Sequence, residues 1–152
     1  MPIRIVAVGK RHESWVAEGI ERYEKRLKRP FDTSWVLLPH SAREGAMARQ
    51  EESERILSRI NSNEFVVLLD ERGKAISSPN LSTLLLAPLE ASRPVVIAIG
   101  GAYGVDESIH SRADFVLSLS PMVFPHQLVR LILAEQLYRA QEIAAGNPYH
   151  HS

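Results

Sequence analysis

The chain has 152 residues and no cysteine, which suits a single domain and excludes disulfides, thiolate metal sites and cysteine nucleophiles. Its 18 acidic and 18 basic side chains balance, which argues against general nucleic-acid affinity, because that affinity comes from phosphate neutralisation. No apolar segment approaches the roughly 20 residues of a membrane span, and the start Met-Pro-Ile-Arg-Ile-Val lacks a basic region followed by a long apolar run. We expect one cytoplasmic domain, residues 1–152, with no membrane partner.

Runs of apolar residues of strand length recur along the chain at Ile3–Val8, Trp35–Leu38, Phe65–Leu69, Val95–Ile99 and Phe115–Leu119. Several runs are continuous rather than alternating, which is typical of strands buried on both faces. Helical patterns lie between the runs, at about 12–28, 42–61, 79–91, 105–112 and 126–144. The alternation predicts a three-layer α/β fold with a mostly parallel sheet of five to six strands.

Three joints that follow predicted strands are the places where a ligand is expected, because parallel sheets bind ligands outside the carboxyl ends of their strands. They are residues 69–74, 100–104 and 118–126. The third joint is unusual, since Pro121 and Pro125 enclose the apolar Met122, Val123 and Phe124. From the residues alone, this loop either forms the wall of a binding site or plugs the edge of the core.

Familiar chemical motifs do not account for the chain. The glycines at 100, 101 and 104 follow a strand, but they lack the G-x-G-x-x-G spacing of a dinucleotide site and form either a ligand-contacting loop or a plain turn. The six histidines lack the spacing of a helical metal-binding pair, so no metal is expected. No G-x-S-x-G elbow is present, which leaves a hydrolase as a minor option.

The last helix and the tail carry the remaining polar candidates. Glu135 and Arg139 stand four residues apart in the order that favours an ion pair. That pair is either structural or part of an interface or active site. Gly146 ends the helix, and Tyr149 and His150 beyond it provide a phenol and an imidazole, or simply a frayed terminus.

Taken together, segments along the whole chain keep the order and spacing of one known family. They are Ile5-Val-Ala-Val-Gly-Lys10, Leu68-Leu-Asp70, Ile99-Gly-Gly-Ala-Tyr-Gly104, Leu117-Ser-Leu-Ser120, Leu128-Val-Arg130, Ala134-Glu-Gln-Leu-Tyr-Arg139 and Asn147-Pro-Tyr-His150. The chain resembles the bacterial ribosomal large-subunit pseudouridine N3-methyltransferases of the SPOUT class. The resemblance runs from the first strand to the tail.

The resemblance implies a C-terminal trefoil knot, an exception to the rule that chains avoid knots, and a homodimer that completes each active site. It implies S-adenosylmethionine as cofactor, without a metal. The residues expected to bind this cofactor are Leu69, Gly100, Gly101, Ser120, Pro121, Met122, Val123, Phe124 and Pro125.

The implied activity is methylation of N3 of a pseudouridine in the helix 69 region of 23S rRNA, on assembled 70S ribosomes, with no DNA partner. Glu135 and His150 are the candidate general bases, because the imide nitrogen has to lose its proton. The residues expected to face the acceptor are His126, Arg130, Arg139, Tyr149 and His150.

Two alternatives remain open from the sequence. One is a SPOUT methyltransferase that acts on tRNA or on another rRNA nucleotide, with the same cofactor pocket. The other is a ribosome-binding α/β dimer without catalytic activity. A non-catalytic dimer is expected not to bind S-adenosylmethionine, whereas a methyltransferase of either kind binds it. The identity of the methylated RNA then distinguishes a different substrate from the pseudouridine of 23S rRNA.

Overall fold

A computed structural model of the chain describes residues 1–148, so Tyr149 and His150 lie outside the described residues. The strands are β1 Ile3–Val8, β2 Thr33–Leu38, β3 Phe65–Ala75, β4 Val95–Ile99 and β5 Phe115–Ser118. The helices are α1 Ser14–Glu24, α2 Gly45–Leu57, α3 Ser78–Glu90, α4 Glu107–Arg112 and α5 His126–Ala144.

The strands form one sheet in the order β2-β1-β4-β3-β5, and all neighbouring pairs are parallel. Each strand therefore points its carboxyl end to the same edge. The central strand β4 is buried along its whole length, as its continuous apolar sequence predicts. The predicted parallel α/β sheet is confirmed, with five strands within the described residues.

Helices cover both faces of the sheet. On one face, Leu85 of α3 and Leu137 of α5 pack with Ile5 and Ile97, and α1 packs against α5. On the other face, Ile56 of α2 and Ile109 of α4 pack with residues of β1, β3 and β4. The helix–sheet–helix arrangement confirms the predicted three layers.

Strand β3 is longer than its apolar pattern predicts, because it continues through the polar segment after Leu69 to Ala75. Leu117 of β5 is opposite both Leu69 and Lys74, so the extra residues form a bulge between these two positions. Backbone pairing does not require apolar side chains, which is why the pattern missed this segment. At Gly73 an added Cβ would lie 2.6 Å from the Val116 carbonyl oxygen, so only glycine permits this close approach.

Helices α1 and α2 are shorter than the predicted ranges of 12–28 and 42–61. After α1 the chain continues in tighter turns, in which the Arg26 N–H donates to the Tyr23 carbonyl oxygen at 2.9 Å. The Arg59 N–H donates to the Ile56 carbonyl oxygen in the same way after α2. Such turns keep a helix-like spacing of side chains, which explains why the sequence pattern extends beyond the α-helix itself.

Candidate functional site

A cleft of about 630 Å³ opens at the carboxyl edge of the neighbouring strands β4, β3 and β5. Its walls come from the three predicted joints, together with residues of α5 and α2. The joints meet there because the three strands are adjacent and parallel, although they are separated along the chain. The expectation that a ligand-sized cleft forms at these joints is therefore confirmed.

Most of the predicted cofactor residues line this cleft, namely Leu69, Gly100, Gly101, Ser120, Met122, Val123 and Phe124. Pro121 and Pro125 enclose the same loop but are not among the lining residues. Met122 and Val123 are 71% and 79% exposed, so they do not plug the core edge. The Met122 N–H donates to Ser120 Oγ at 2.9 Å, which fixes the start of the loop.

The glycine-rich turn after β4 presents bare backbone to the cleft. A Cβ on Gly100 would lie 2.7 Å from Val105 Cγ1, and one on Gly101 would lie 2.6 Å from Glu52 Oε1. The Gly104 N–H donates to the Gly101 carbonyl oxygen at 3.0 Å and closes the turn. A side chain at either position would have to displace a neighbouring side chain, so the absence of a Cβ lets the turn pack closely here.

His126, the first residue of α5, joins that helix to the glycine turn. Its Nε2 lies 2.6 Å from the Gly100 carbonyl oxygen, to which the ring N–H donates. Burial lowers the pKa of His126, and the nearby charge of Arg130 lowers it further. A neutral imidazole therefore forms part of the cleft wall, and its ring is held in one orientation.

Comparison with known proteins decides the family. Residues 1–150 match the family described as "Predicted SPOUT methyltransferase". The chain belongs to the SPOUT methyltransferase family. A protein of Geobacter metallireducens named "Ribosomal RNA large subunit methyltransferase H" is 43% identical over 155 residues, with 100% of both chains covered. A Francisella philomiragia protein of the same name is 38% identical over 154 residues, with 99% of each chain covered.

A solved structure supports the fold of this SPOUT family member. A probable methylase family protein from Haemophilus influenzae Rd KW20 has a TM-score of 0.58 and 15% sequence identity. The match covers 99% of this chain and 70% of that protein. At this identity the likeness shows the shared fold alone.

Arg130 does not line the SPOUT cleft. The residue is 0% exposed, and its Nη1 donates to the Lys10 carbonyl oxygen at 2.8 Å. Because the Arg130 guanidinium has no exposed surface in the single chain, it does not face the cleft there, and its acceptor-facing role stays a prediction. In the folded chain Arg130 holds the loop after β1.

Glu135 and Arg139 form the ion pair that their spacing predicts, with Arg139 Nη2 3.0 Å from Glu135 Oε2. Glu135 borders a second groove, between α1 and α5, together with Gly19 and Leu131. It is nine residues beyond His126, or about 14 Å along the helix. Within one chain, the structure does not bring Glu135 into the cleft with the predicted cofactor residues.

The structure adds a charged cluster that the predicted site did not include. Asp70 Oδ2 lies 2.8 Å from Arg72 Nη2 and 2.9 Å from His110 Nε2, and both Asp70 and Arg72 line the cleft. Burial alone raises the pKa of Asp70, but hydrogen bonds from Arg72 and then His110 outweigh it and lower the pKa to about 2. The sequence signal was the Asp-x-Arg that follows the third apolar run.

Arg49 and Tyr103 also line the cleft and were absent from the predicted site. Tyr103 lies in the glycine turn and is half-exposed. An aromatic residue between glycines was the signal in the sequence. Arg49 belongs to α2, a polar helix on the opposite wall. Nothing in its local sequence separates it from the other charges of that helix, because its position depends on how α2 packs.

Within residues 1–148, no group of three or more His, Asp or Glu side chains is arranged to hold a metal ion. The same part of the chain has no helix that is long and apolar enough to cross a bilayer.

Proposed function

We propose that this SPOUT family member transfers a methyl group from S-adenosylmethionine to N3 of a pseudouridine in 23S rRNA. The observation that carries the proposal is the cleft at the carboxyl edge of β3, β4 and β5, which most of the predicted cofactor residues line. Full-length relatives named as ribosomal RNA large subunit methyltransferases support the choice of RNA.

The cleft suits the adenosine part of the cofactor. Apolar side chains such as Leu69 and Leu117 provide walls for a flat ring, and the glycine turn lets a ligand approach the backbone closely. Pro121 and Pro125 limit the backbone freedom of the loop before binding, which lowers the entropy lost when the ligand orders it. S-adenosylmethionine, when bound, supplies an electrophilic methyl group.

The chain's own residues have to position the acceptor and remove its proton. Glu135 and His150 are the proposed bases, and Tyr149 is proposed to stack on a base of the RNA. Arg139 and His126 are proposed to face the acceptor, since His126 lines the cleft. Because Glu135 lies away from the cleft of its own chain, the base has to come from the second chain of a homodimer or from the tail.

The proposal includes the trefoil knot of the family. Helix α5 starts beyond the edge strand β5 and packs against both α1 and α3 over the sheet. The match to the SPOUT family is what supports threading of the C-terminal segment, because a helix that returns over the sheet also occurs in unknotted α/β folds.

The balanced charge of the chain bears on whether the substrate is naked RNA or an assembled ribosome. With 18 acidic and 18 basic side chains, the chain has no net charge to hold naked RNA. We propose the assembled 70S ribosome as the substrate, since its shape and proteins add contacts beyond phosphates. Methylation of protein-free 23S rRNA at a rate comparable to that of 70S ribosomes contradicts the proposal that the assembled ribosome is the substrate.

Mass spectrometry of rRNA from a strain that lacks this gene tests the function. We expect one methylated pseudouridine of the large-subunit RNA to lose its methyl group and to regain it when the gene is restored. Calorimetry with S-adenosylmethionine separates the alternatives. Binding without methylation of ribosomes indicates another RNA, and no binding indicates a non-catalytic dimer.

Single-turnover methylation tests the proposed bases. Glu135→Gln and His150→Ala are each expected to slow methyl transfer by about 100-fold or more if the residue is the base, with cofactor binding intact. Normal rates in both variants exclude both residues from that role.

A further inference from the structure

The charges that line the cleft are unevenly paired. Arg72 is held by Asp70, with Nη2 2.8 Å from Oδ2, and Asp70 also contacts His110. Arg49, on the other wall, has no ion-pair partner among residues 1–148. Its Nε is buried without a hydrogen-bond partner in that same part of the chain. Arg49 is therefore a cation of the cleft that no ion pair or hydrogen bond within residues 1–148 holds.

The position of Arg49 follows from the packing of α2. Glu52 Oε1 lies 2.6 Å from where a Cβ of Gly101 would be, so this face of α2 rests against the glycine turn. Arg49 is three residues earlier and lies on the same face of the helix, one turn away. No ion pair joins Glu52 to Arg49: Glu52 Oε2 accepts from the Ser41 N–H at 2.8 Å and lies 4.0 Å from His40 Nδ1, and Oε1 has no hydrogen-bond partner within residues 1–148.

Only Nε of Arg49 is without accessible surface, so the terminal nitrogens of its guanidinium are the atoms that an anion in the cleft can reach. Arginine presents a planar fork of donors that matches a carboxylate in two parallel hydrogen bonds. The ligand of the proposed function carries one carboxylate, on its methionyl part. We propose that Arg49 binds this carboxylate and thereby positions the methionyl part across the glycine turn from the adenosine wall.

This inference rests on the proposed function, since it concerns the same cleft and the same ligand. An RNA phosphate has the same chemistry for Arg49, so the test has to distinguish the two anions. Decarboxylated S-adenosylmethionine, which lacks only the carboxylate, is the matched probe. The variants are Arg49→Gln, which removes the charge, and Arg49→Lys, which keeps the charge without the fork.

Calorimetry measures both ligands with the full-length protein. We expect Arg49→Gln to weaken S-adenosylmethionine binding by about 10- to 100-fold and to leave binding of the decarboxylated ligand within about twofold of wild type. Arg49→Lys is expected to recover part of the loss. Arg43→Gln is the control, because Arg43 precedes α2, pairs with Glu51 at 3.2 Å and does not line the cleft.

The outcomes separate the two proposals. If wild type binds neither ligand, the proposed function itself fails. If wild type binds S-adenosylmethionine but Arg49→Gln weakens both ligands equally, or weakens neither, the role of Arg49 is overturned while the function stands. Unchanged cofactor binding with weaker ribosome binding assigns Arg49 to an RNA phosphate and also overturns the inference.

Discussion

Arg130 is a charged side chain without exposed surface, and its contacts determine what it does. Its Nη1 donates to the Lys10 carbonyl oxygen, whereas Nε and Nη2 have no partner within residues 1–148. Such a residue supports the fold through its volume and its hold on the loop after β1. A surface phosphate ligand, by contrast, contributes little to stability.

Truncation of Arg130 tests this role. Arg130→Ala is expected to lower the free energy of unfolding by about 2–4 kcal/mol, because it leaves a cavity and an unpaired carbonyl. Arg130→Met should cost less, since it keeps the volume and removes a poorly paired buried charge. Urea unfolding measures both, and the exposed Arg29→Ala is the control, expected within about 0.5 kcal/mol of wild type. An equally small effect at Arg130 contradicts the structural role.

Asp70 makes stability depend on pH. Its pKa in the folded chain is about 2, below the ordinary value of 3.8, so its stabilising contribution is present above pH 3.8 and is lost as pH falls towards 2. The Asp70 side chain is 7% exposed but Arg72 is 63% exposed, and solvent screening reduces the contribution to about 1 kcal/mol. At pH 7, we expect the free energy of unfolding of wild type, measured in urea, to exceed that of Asp70→Asn by about 1 kcal/mol.

That difference should shrink towards zero between pH 4 and pH 2. A difference that stays constant over this range shows that the substitution acts through packing and not through the charge of Asp70.

At the scale of elements, the loop between β5 and α5 is the part of the cleft that depends most on local backbone restriction. It exposes Met122 and Val123 while Pro121 and Pro125 restrict its ends. Because its apolar side chains bury little in the folded chain, the loop contributes more to ligand binding than to stability.

Replacement of both Pro121 and Pro125 by alanine tests whether the loop contributes more to ligand binding than to stability. We expect the dissociation constant for S-adenosylmethionine to rise about 3- to 10-fold, since the free loop gains conformations that binding has to remove. The free energy of unfolding should fall by no more than about 1 kcal/mol. Pro79→Ala, in the first turn of α3, is the control and should leave cofactor binding unchanged. A larger loss of stability than of binding free energy contradicts the assignment.

The extension of β3 is the second feature at this scale that shapes the cleft. The bulge after Leu69 lets the strand rejoin β5 at Lys74. Asp70 and Arg72 lie within the bulge and line the cleft, where His110 of α4 reaches Asp70. A bulge thus turns a polar strand segment into one wall of the cleft.

For the whole molecule, the groove between α1 and α5 is the surface most relevant to assembly. It is lined by Gly19, Tyr23, Leu128, Leu131 and Ile132, with Arg22 and Glu135 among them. Glu135 lies here rather than in the cleft, so a second chain that packs in this region is what the proposed composite site requires.

Light scattering at micromolar concentration is expected to give twice the mass of one chain. Ile132→Glu introduces a charge into the groove, which should shift the protein towards monomer and abolish methylation while cofactor binding persists, because one chain forms the cleft. Met47→Glu is the control, since Met47 is an exposed apolar residue on α2 outside the groove. A wild-type protein with the mass of one chain contradicts the homodimer.

The sequence by itself determined the layers, the parallel sheet and the three joints that meet at the cleft. Apolar runs and helical periods are local signals of which side chains are buried. The rule that ligands bind at the carboxyl edge then connects Leu69, Gly101 and the proline-flanked loop, although they are far apart in the chain. The resemblance to the SPOUT family added the cofactor and the substrate, which the periodicity did not contain.

Only the tertiary structure decided the surroundings of individual charges. A helical period places Arg49, Arg130 and Glu135 on faces of their helices, but it does not say which neighbour covers each face. Packing buried Arg130 under the loop after β1, turned Glu135 towards α1 and brought Arg49 to the cleft. These outcomes depend on contacts between residues distant in sequence, and such contacts exist only once the layers have packed together.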